Sequence, residues 1–419
     1  MITVSLGEWV GQNQQDDFRM KQNKLHETSR FFNAPIDSPI DAFGKPNFGV
    51  YNSAFKNVNM DAGSWPVIGK NFSGNIYNAR LKEWQHFAVV WPGGMLGLAI
   101  VDAKYLVTSW VHLVELSSTW FQSVPGEAAV KTRFEHRSMG PAIPLKIPFG
   151  RDSISRGSKE LLLRLSRSFM PVYRTARSLW NEETFIEADN YNIRIRNNLD
   201  KGGHFVNLKT GGKKNSPQLE AEFKCIHDTA RIEPLVVVLP VENKQLKSMY
   251  SHKVPLPVEG EIKVGEKRIS LDPGESFALL DIHKAHYPWK TWWNWATFAG
   301  REAGGGIVGV NLTKNVNQYD ETWNENALWV DGRIQRLSSA VFDFDPRNPL
   351  APWKLKDKNG LVDLTFHPFG ERTEDMNLGI LRSSFHQPFG VFSGEVVFEG
   401  KRLKIESLPG VCENHLAYW

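Results

Sequence analysis

From Trp84 to the C-terminus the chain is written as short apolar runs broken by turn residues, a pattern that leaves antiparallel β-structure as its main option. Trp84 to Val90 and Met95 to Val101 flank Pro92-Gly93-Gly94, and Tyr105 to Leu116 follows at once, which predicts a meander. Leu219, Ala221, Phe223 and Cys225 alternate with Glu220, Glu222 and Lys224, the period of two that a half-buried strand requires. Hairpin turns are expected at Val264-Gly265-Glu266, Val330-Asp331-Gly332-Arg333, Lys358-Asn359-Gly360 and Phe398-Glu399-Gly400-Lys401. About eight such runs follow Gly305, enough to close a small barrel. One stretch, Ser158 to Phe169, has helical spacing through Leu161, Leu162, Leu165 and Phe169. The predicted class is all-β: two lipocalin-like antiparallel β-barrel or sandwich domains with few helices.

A chain of 419 residues exceeds one ordinary core, so more than one domain is expected. Residues 1–38 are polar and without a sustained period, and read as an N-terminal arm. The first lipocalin-like domain is placed at 39–255, decorated by a proline-bearing insertion near 123–189, and the second at 256–419, with the boundary itself anywhere in 250–300. Fifty Lys and Arg against 46 Asp and Glu, without blocks of like charge, give no footprint for nucleic acid. The longest apolar runs fall far below the roughly 18 residues of a membrane span, and no leader pattern opens the chain. A cytoplasmic protein without a transmembrane segment is therefore expected. Cys225 and Cys412 stand far apart with no CxxC, which argues against a disulfide scaffold and a cysteine-built zinc site and fits a reducing compartment. The sequons Asn71-Phe72-Ser73 and Asn311-Leu312-Thr313 read as chance in that setting.

Fifteen tryptophans are a surplus, and four of them, Trp289, Trp292, Trp293 and Trp295, fall between Asp281 and Gly300. On a strand, Tyr287, Trp289, Thr291, Trp293 and Trp295 share one face, while His286, Lys290, Trp292 and Asn294 share the other. The expected role is the wall of a site for an apolar small molecule, with His286, Tyr287, Trp289, Trp293, Asn294 and Trp295 touching the ligand. The competing role is core filling, with Lys290 snorkelling at the surface. His283 and His286 look like a metal pair, but a spacing of three puts them on opposite faces of a strand. Asp343 and Asp345 share a face and read best as a strand running into a turn. Gly304-Gly305-Gly306 leads into a strand-like run and so lacks the order of a dinucleotide fingerprint, and no Gly-x-Ser-x-Gly elbow occurs. Neither metal nor cofactor is expected.

Candidate chemistry lies in three short constellations. Glu325 and Asn326 precede Ala327-Leu328-Trp329, apolar surroundings in which desolvation would raise the carboxyl pKa toward general-acid work. His386 and Gln387 precede Pro388-Phe389-Gly390. Glu413 and His415 lie two apart, on one face if extended, where a carboxylate and an imidazole can share a proton. Glu325, His386, Glu413 and His415 are the catalytic candidates, and Asn326 and Gln387 are added to the binding set. For each, a satisfied structural hydrogen bond is the plain alternative.

Several ordered motifs carry a family resemblance: Pro288-Trp289-Lys290-Thr291-Trp292-Trp293-Asn294-Trp295-Ala296, Val308-Gly309-Val310-Asn311-Leu312, Glu325 to Gly332, Val362 to Phe366, His386 to Gly390, and Glu413 to Trp419. Together they resemble the bacterial family known as domain of unknown function 2804, over roughly residues 40–419. More distantly, the passage from Val258 to Val264 and on to Trp295 looks like the carotenoid-hydratase and Diels-Alderase-type, calycin-like proteins, whose Asp-His-x-Trp arrangement is replaced here by His286-Tyr287-Pro288-Trp289. That resemblance implies two lipocalin-like domains, an apolar or partly oxygenated ligand, and acid residues working among aromatic walls without a cofactor. The expected function is a cofactor-free lyase, hydratase or isomerase. A non-catalytic carrier of hydrophobic ligands, or a carbohydrate-active enzyme with paired carboxylates, are the alternatives.

Overall fold

A computed structural model describes residues 32–63, 65–67, 70–72, 78–117, 130–142, 171–212, 217–241, 244–314, 321–379 and 381–419. Among them the protein is all-β, with two large antiparallel sheets forming two lipocalin-like units, a separate two-stranded hairpin of Trp65–Val67 and Lys70–Phe72, and no α-helical element. The predicted helix at Ser158 to Phe169 and most of the arm at 1–38 lie outside the described residues. No helix among the described residues is long and apolar enough to cross a membrane.

The first, 14-stranded sheet runs in the order Val130–Pro141, Leu106–Leu116, Gly94–Asp102, Leu81–Trp91, Phe277–His286, Lys244–Val264, Leu219–Ile226, Gly203–Thr210, Tyr191–Asn198, Glu183–Ala188 and Val172–Arg174, with three short strands attached beside this path. It curls. Ser109 Oγ meets the Tyr191 hydroxyl at 3.0 Å, although their strands are seven places apart in the order. In a flat sheet such strands would stand about 34 Å apart at about 4.8 Å per strand. The strands Val130–Pro141, Val172–Arg174 and Glu183–Ala188, which fall within the predicted insertion, are part of this wall and include both of its edges.

The second sheet has nine strands: Arg333–Arg336, Ala327–Val330, Ile307–Lys314, Lys290–Arg301, Lys401–Tyr418, Leu381–Phe398, Val362–Leu378, Trp353–Asp357 and Ala340–Asp343. Its two edge strands, Arg333–Arg336 and Ala340–Asp343, are joined by only three residues, 337–339. Four Cα steps reach at most about 15 Å, whereas nine flat strands would span about 38 Å, so this sheet must also roll up. Its tight turns are written in the sequence. Asp331 and Gly332 have φ of 48° and 84°, and Glu399 and Gly400 have 48° and 81°, the paired left-handed residues of a two-residue hairpin loop.

Sheet membership changes between His286 and Lys290, within the 250–300 stretch, while residue 256 lies inside the Lys244–Val264 strand of the first sheet. Each sheet wraps its own apolar core, one around Phe87, Leu98, Val111 and Ile193, the other around Phe298, Leu328, Phe366 and Phe392. A further cluster mixes Val90, Met95, Val114 and Phe277 of the first sheet with Trp293, Trp295, Phe389 and Val411 of the second. The two units are therefore packed face to face. Cys225 and Cys412 sit buried and free in the two separate cores.

Candidate functional site

Strand alternation decides what reaches the space between the sheets. On Leu81–Trp91, Phe87 and Val89 point into the first core, which sends Trp84, His86 and Val90 to the outer face. On Lys290–Arg301, Ala296 and Phe298 fill the second core, which sends Trp293 and Trp295 outward to meet them. The tryptophan wall thus belongs to neither barrel interior. It encloses a cavity between the units with about 120 Å³ of room for the centres of water molecules.

Register sets the chemistry in rows. Across the first sheet Lys253 pairs with Asp281, Asp281 with His86, His86 with Ala99, and Ala99 with Trp110, while the next row joins His283 to Trp84 and Trp84 to Val101. Across the second sheet Phe385, His415 and Trp293 form one row, and Glu413, Trp295 and Thr313 the next. All of these side chains line the cavity. Trp84 stacks on His283 at 4.5 Å, with Tyr287 and Trp293 nearly parallel to it at 5.8 and 6.0 Å, a slab of flat faces.

One end of the cavity is ionic. Lys253 Nζ lies 2.5 Å from Asp281 Oδ1, 3.2 Å from His283 Nε2 and 3.7 Å from Glu325 Oε1, with all four groups buried. His283 Nε2 stands 3.0 Å from Glu325 Oε1, and its Nδ1 meets the Tyr287 hydroxyl at 3.0 Å. The 3.0 Å approach to Glu325 does not meet hydrogen-bond geometry, and both Glu325 carboxylate oxygens are left without a donor. Burial alone would raise the Glu325 carboxyl, but His283 and Lys253 outweigh it and hold it down to about 2. Asp281 is also held down, burial being overcome by Lys253 and His283.

The other end holds Glu413 among uncharged rings, with the buried Arg372 guanidinium behind Trp110 and Phe385 at 4.2 and 4.8 Å. Burial pushes Glu413 up to about 7, against hydrogen bonds donated by Trp293 Nε1 (2.7 Å) and Gln387 Nε2 (3.0 Å). His86 and His415 are driven by burial to about 4 and about 3, so both are neutral imidazoles at pH 7. His415 Nε2 is engaged by Ser383 Oγ at 2.9 Å.

Of the residues expected from sequence, Tyr287, Trp293, Trp295, Glu325, Gln387, Glu413 and His415 line the cavity. The raised carboxyl is Glu413 and not Glu325, because Glu325 has a cation and an imidazole beside it. Five residues lie elsewhere. His386 alternates away from Gln387 and pairs with Glu371 at 3.0 Å on a half-exposed face. His286 alternates away from His283 and is buried on the other side of its strand. Trp289 sits in the link between the sheets, 44% exposed. Asn294 donates to Asn414 Oδ1 at 3.1 Å. Asn326 works one step back: it accepts from Thr313 N at 2.6 Å and donates to Ser338 O at 2.8 Å, while Asn311 Nδ2 holds the Glu325 carbonyl at 2.6 Å. These bonds fix the loop that carries Glu325 inward. They also bury Asn311, whose sequon is closed to modification while the protein is folded.

Sequence reading missed Lys253, Asp281, Trp84 and His86, and set His283 aside. A signal existed for two of them, since the parity that unites Tyr287, Trp293 and Trp295 extends back to His283 and Asp281. Among the described residues no group of three or more His, Cys, Asp or Glu is arranged to hold a metal ion. His386→Ala is predicted to change ligand affinity and turnover by less than about twofold, because the ring pairs outside the cavity. Titration of a bound ligand by tryptophan fluorescence checks this.

The family described as domain of unknown function (DUF2804) matches residues 37–419. None of the curated proteins matches the sequence. Similar solved structures include a protein of Nitrosomonas europaea assigned as AttH, with 11% identity, 84% of this chain and 98% of that one covered, and a TM-score of 0.42. Kievitone hydratase from Nectria haematococca shares 11% identity over 90% and 97% of the two chains at a TM-score of 0.40, and CghA 9% over 88% and 97% at 0.42. Likenesses this distant say nothing about chemistry.

Proposed function

This chain belongs to the DUF2804 family, and we propose that it is a proton-transferring lyase of the hydratase and dehydratase kind, acting on an apolar or partly oxygenated small molecule in the cavity between its two β-units. The observation that carries this reading is the division of the cavity into a carboxyl raised to about 7, Glu413, and a second carboxyl held near 2, Glu325. Two acids driven apart by their environments are the arrangement that general acid and base work needs.

In the eliminating direction, Glu413 donates its proton to the departing hydroxyl as the carbon–oxygen bond breaks, and water leaves. The proton on the neighbouring carbon passes to the Glu325 carboxylate, and the electrons of that carbon–hydrogen bond form the double bond. Positive charge developing at carbon faces the tryptophan rings, whose π-faces attract cations. Return of the proton from Glu325 to Glu413 completes the cycle, and the reverse sequence adds water. Gln387 and Trp293 fix the Glu413 carboxyl, and Lys253 keeps Asp281 and Glu325 ionised.

The test begins with native mass spectrometry of the purified protein to identify a retained ligand, followed by incubation of that ligand in D2O. Water gained or lost, or deuterium at carbon, is expected with the wild type. Glu413→Gln should slow this by about 10²–10⁴-fold, the usual contribution of a positioned acid. A ligand recovered unchanged by the wild type would favour the carrier alternative.

A further inference from the structure

Beside the main cavity lies a second, mostly apolar recess between the sheets, walled by Ala88, Val90, Met95, Gly97 and His112 of the first and by Phe389 and Val411 of the second. The two spaces share His86 and Gln387. Gln387 is committed to Glu413. His86 is not so fixed: the ring is buried and its Nδ1 has no hydrogen-bond partner. Buried polar atoms are nearly always satisfied, and the ring that carries this unpaired nitrogen lines both spaces, so His86 is a polar group there with a bond left to make.

The recess has about 20 Å³ for the centres of water-sized groups, room for one or two at roughly 10–15 Å³ each. A water there would need two to four polar partners, and although His86, His112 and Gln387 reach the recess, most of its lining surface is apolar. An alkyl group suits them better.

We propose that the molecule bound in the main cavity is two-part: a flat ring among the tryptophans, an oxygen atom against His86, and a short alkyl arm in the recess. This rests on reading the main cavity as the reaction chamber, and it narrows the substrate class to ring compounds with an oxygen substituent and an arm of roughly one or two carbons.

Phenol and the para-alkylphenols from methyl to hexyl serve as probes, read by quenching of tryptophan fluorescence. Wild-type affinity is expected to climb about fourfold per carbon over roughly the first one or two carbons and then level off. Ala88→Leu fills the recess and should abolish the climb while leaving phenol itself within about twofold. Phe389→Ala enlarges the recess and should move the levelling point to longer chains, which keeps the test open if Ala88→Leu does not fold. His86→Phe should weaken the phenols about tenfold and spare the matching alkylbenzenes. Absence of binding by every phenol, a flat wild-type series, or the same climb in Ala88→Leu as in the wild type overturns the two-part ligand. Failure of the acid–base reading registers separately, as undiminished turnover in Glu413→Gln.

Discussion

On acidification from pH 7 the protein is expected to unfold near pH 5, well above the range in which carboxylates alone would drive it. Seven histidines are buried with their pKa lowered: His86, His112, His227 and His286 to about 4, His415 to about 3, and His204 and His252 well below the ordinary value, burial being the first cause in each. In the folded state they stay neutral below pH 6.5, while in the unfolded chain each takes a proton there. The unfolded state then binds more protons, so stability is unaffected above about pH 6.5 and falls as pH drops toward 4. Each histidine contributes a slope of up to about 1.4 kcal/mol per pH unit, and seven together up to about 10. A native stability of about 5–15 kcal/mol is consumed within one to two units. Glu413 acts in the opposite sense between about 7 and 4.5, because its folded pKa is raised, but it is one group against seven. Circular dichroism from pH 8 to 3 checks this, and a fold that persists below pH 3.5 would contradict it.

The second large effect concerns Lys253. Its ammonium sits 2% exposed between Asp281 and Glu325, and both carboxylates lose their counter-charge when it is removed. Lys253→Met is predicted to cost about 3–5 kcal/mol at pH 7, the usual penalty for breaking a buried pair from one side. Without the lysine the carboxyl pKa values rise in the folded state, so one of them is protonated as pH falls and part of the loss is recovered. The difference between variant and wild type should therefore be smaller at pH 6 than at pH 8, a comparison in which the histidine contribution cancels. Urea unfolding at the two pH values measures it. Adding Asp281→Asn to the variant should cost less than the sum of the two single changes, since the pair is coupled.

Local sequence carried the β-class, the hairpins and the outward face of Trp293 and Trp295, because a period of two and a left-handed turn are properties of neighbouring residues. The ionic end of the cavity was not legible in that way. Lys253 meets Asp281 only through strand pairing across 28 residues, and Trp84 and His86 join the row from almost 200 residues away. The direction of the Glu325 pKa shift followed from the same gap, since its apolar neighbours in sequence predicted a rise and its neighbours in space impose a fall. Glu413 and His415 were readable as a pair on one face. That the former is the raised acid depends on burial between two units, which no local pattern records.

The central claim is that Glu413 is a buried carboxyl poised near neutrality. Infrared difference spectroscopy between pH 6 and 9 reads it directly, by the carbonyl stretch of the protonated acid and its absence in Glu413→Gln. The account predicts a band that belongs to Glu413 and disappears with a midpoint near 7. A Glu413 carboxyl already ionised at pH 6 would contradict it.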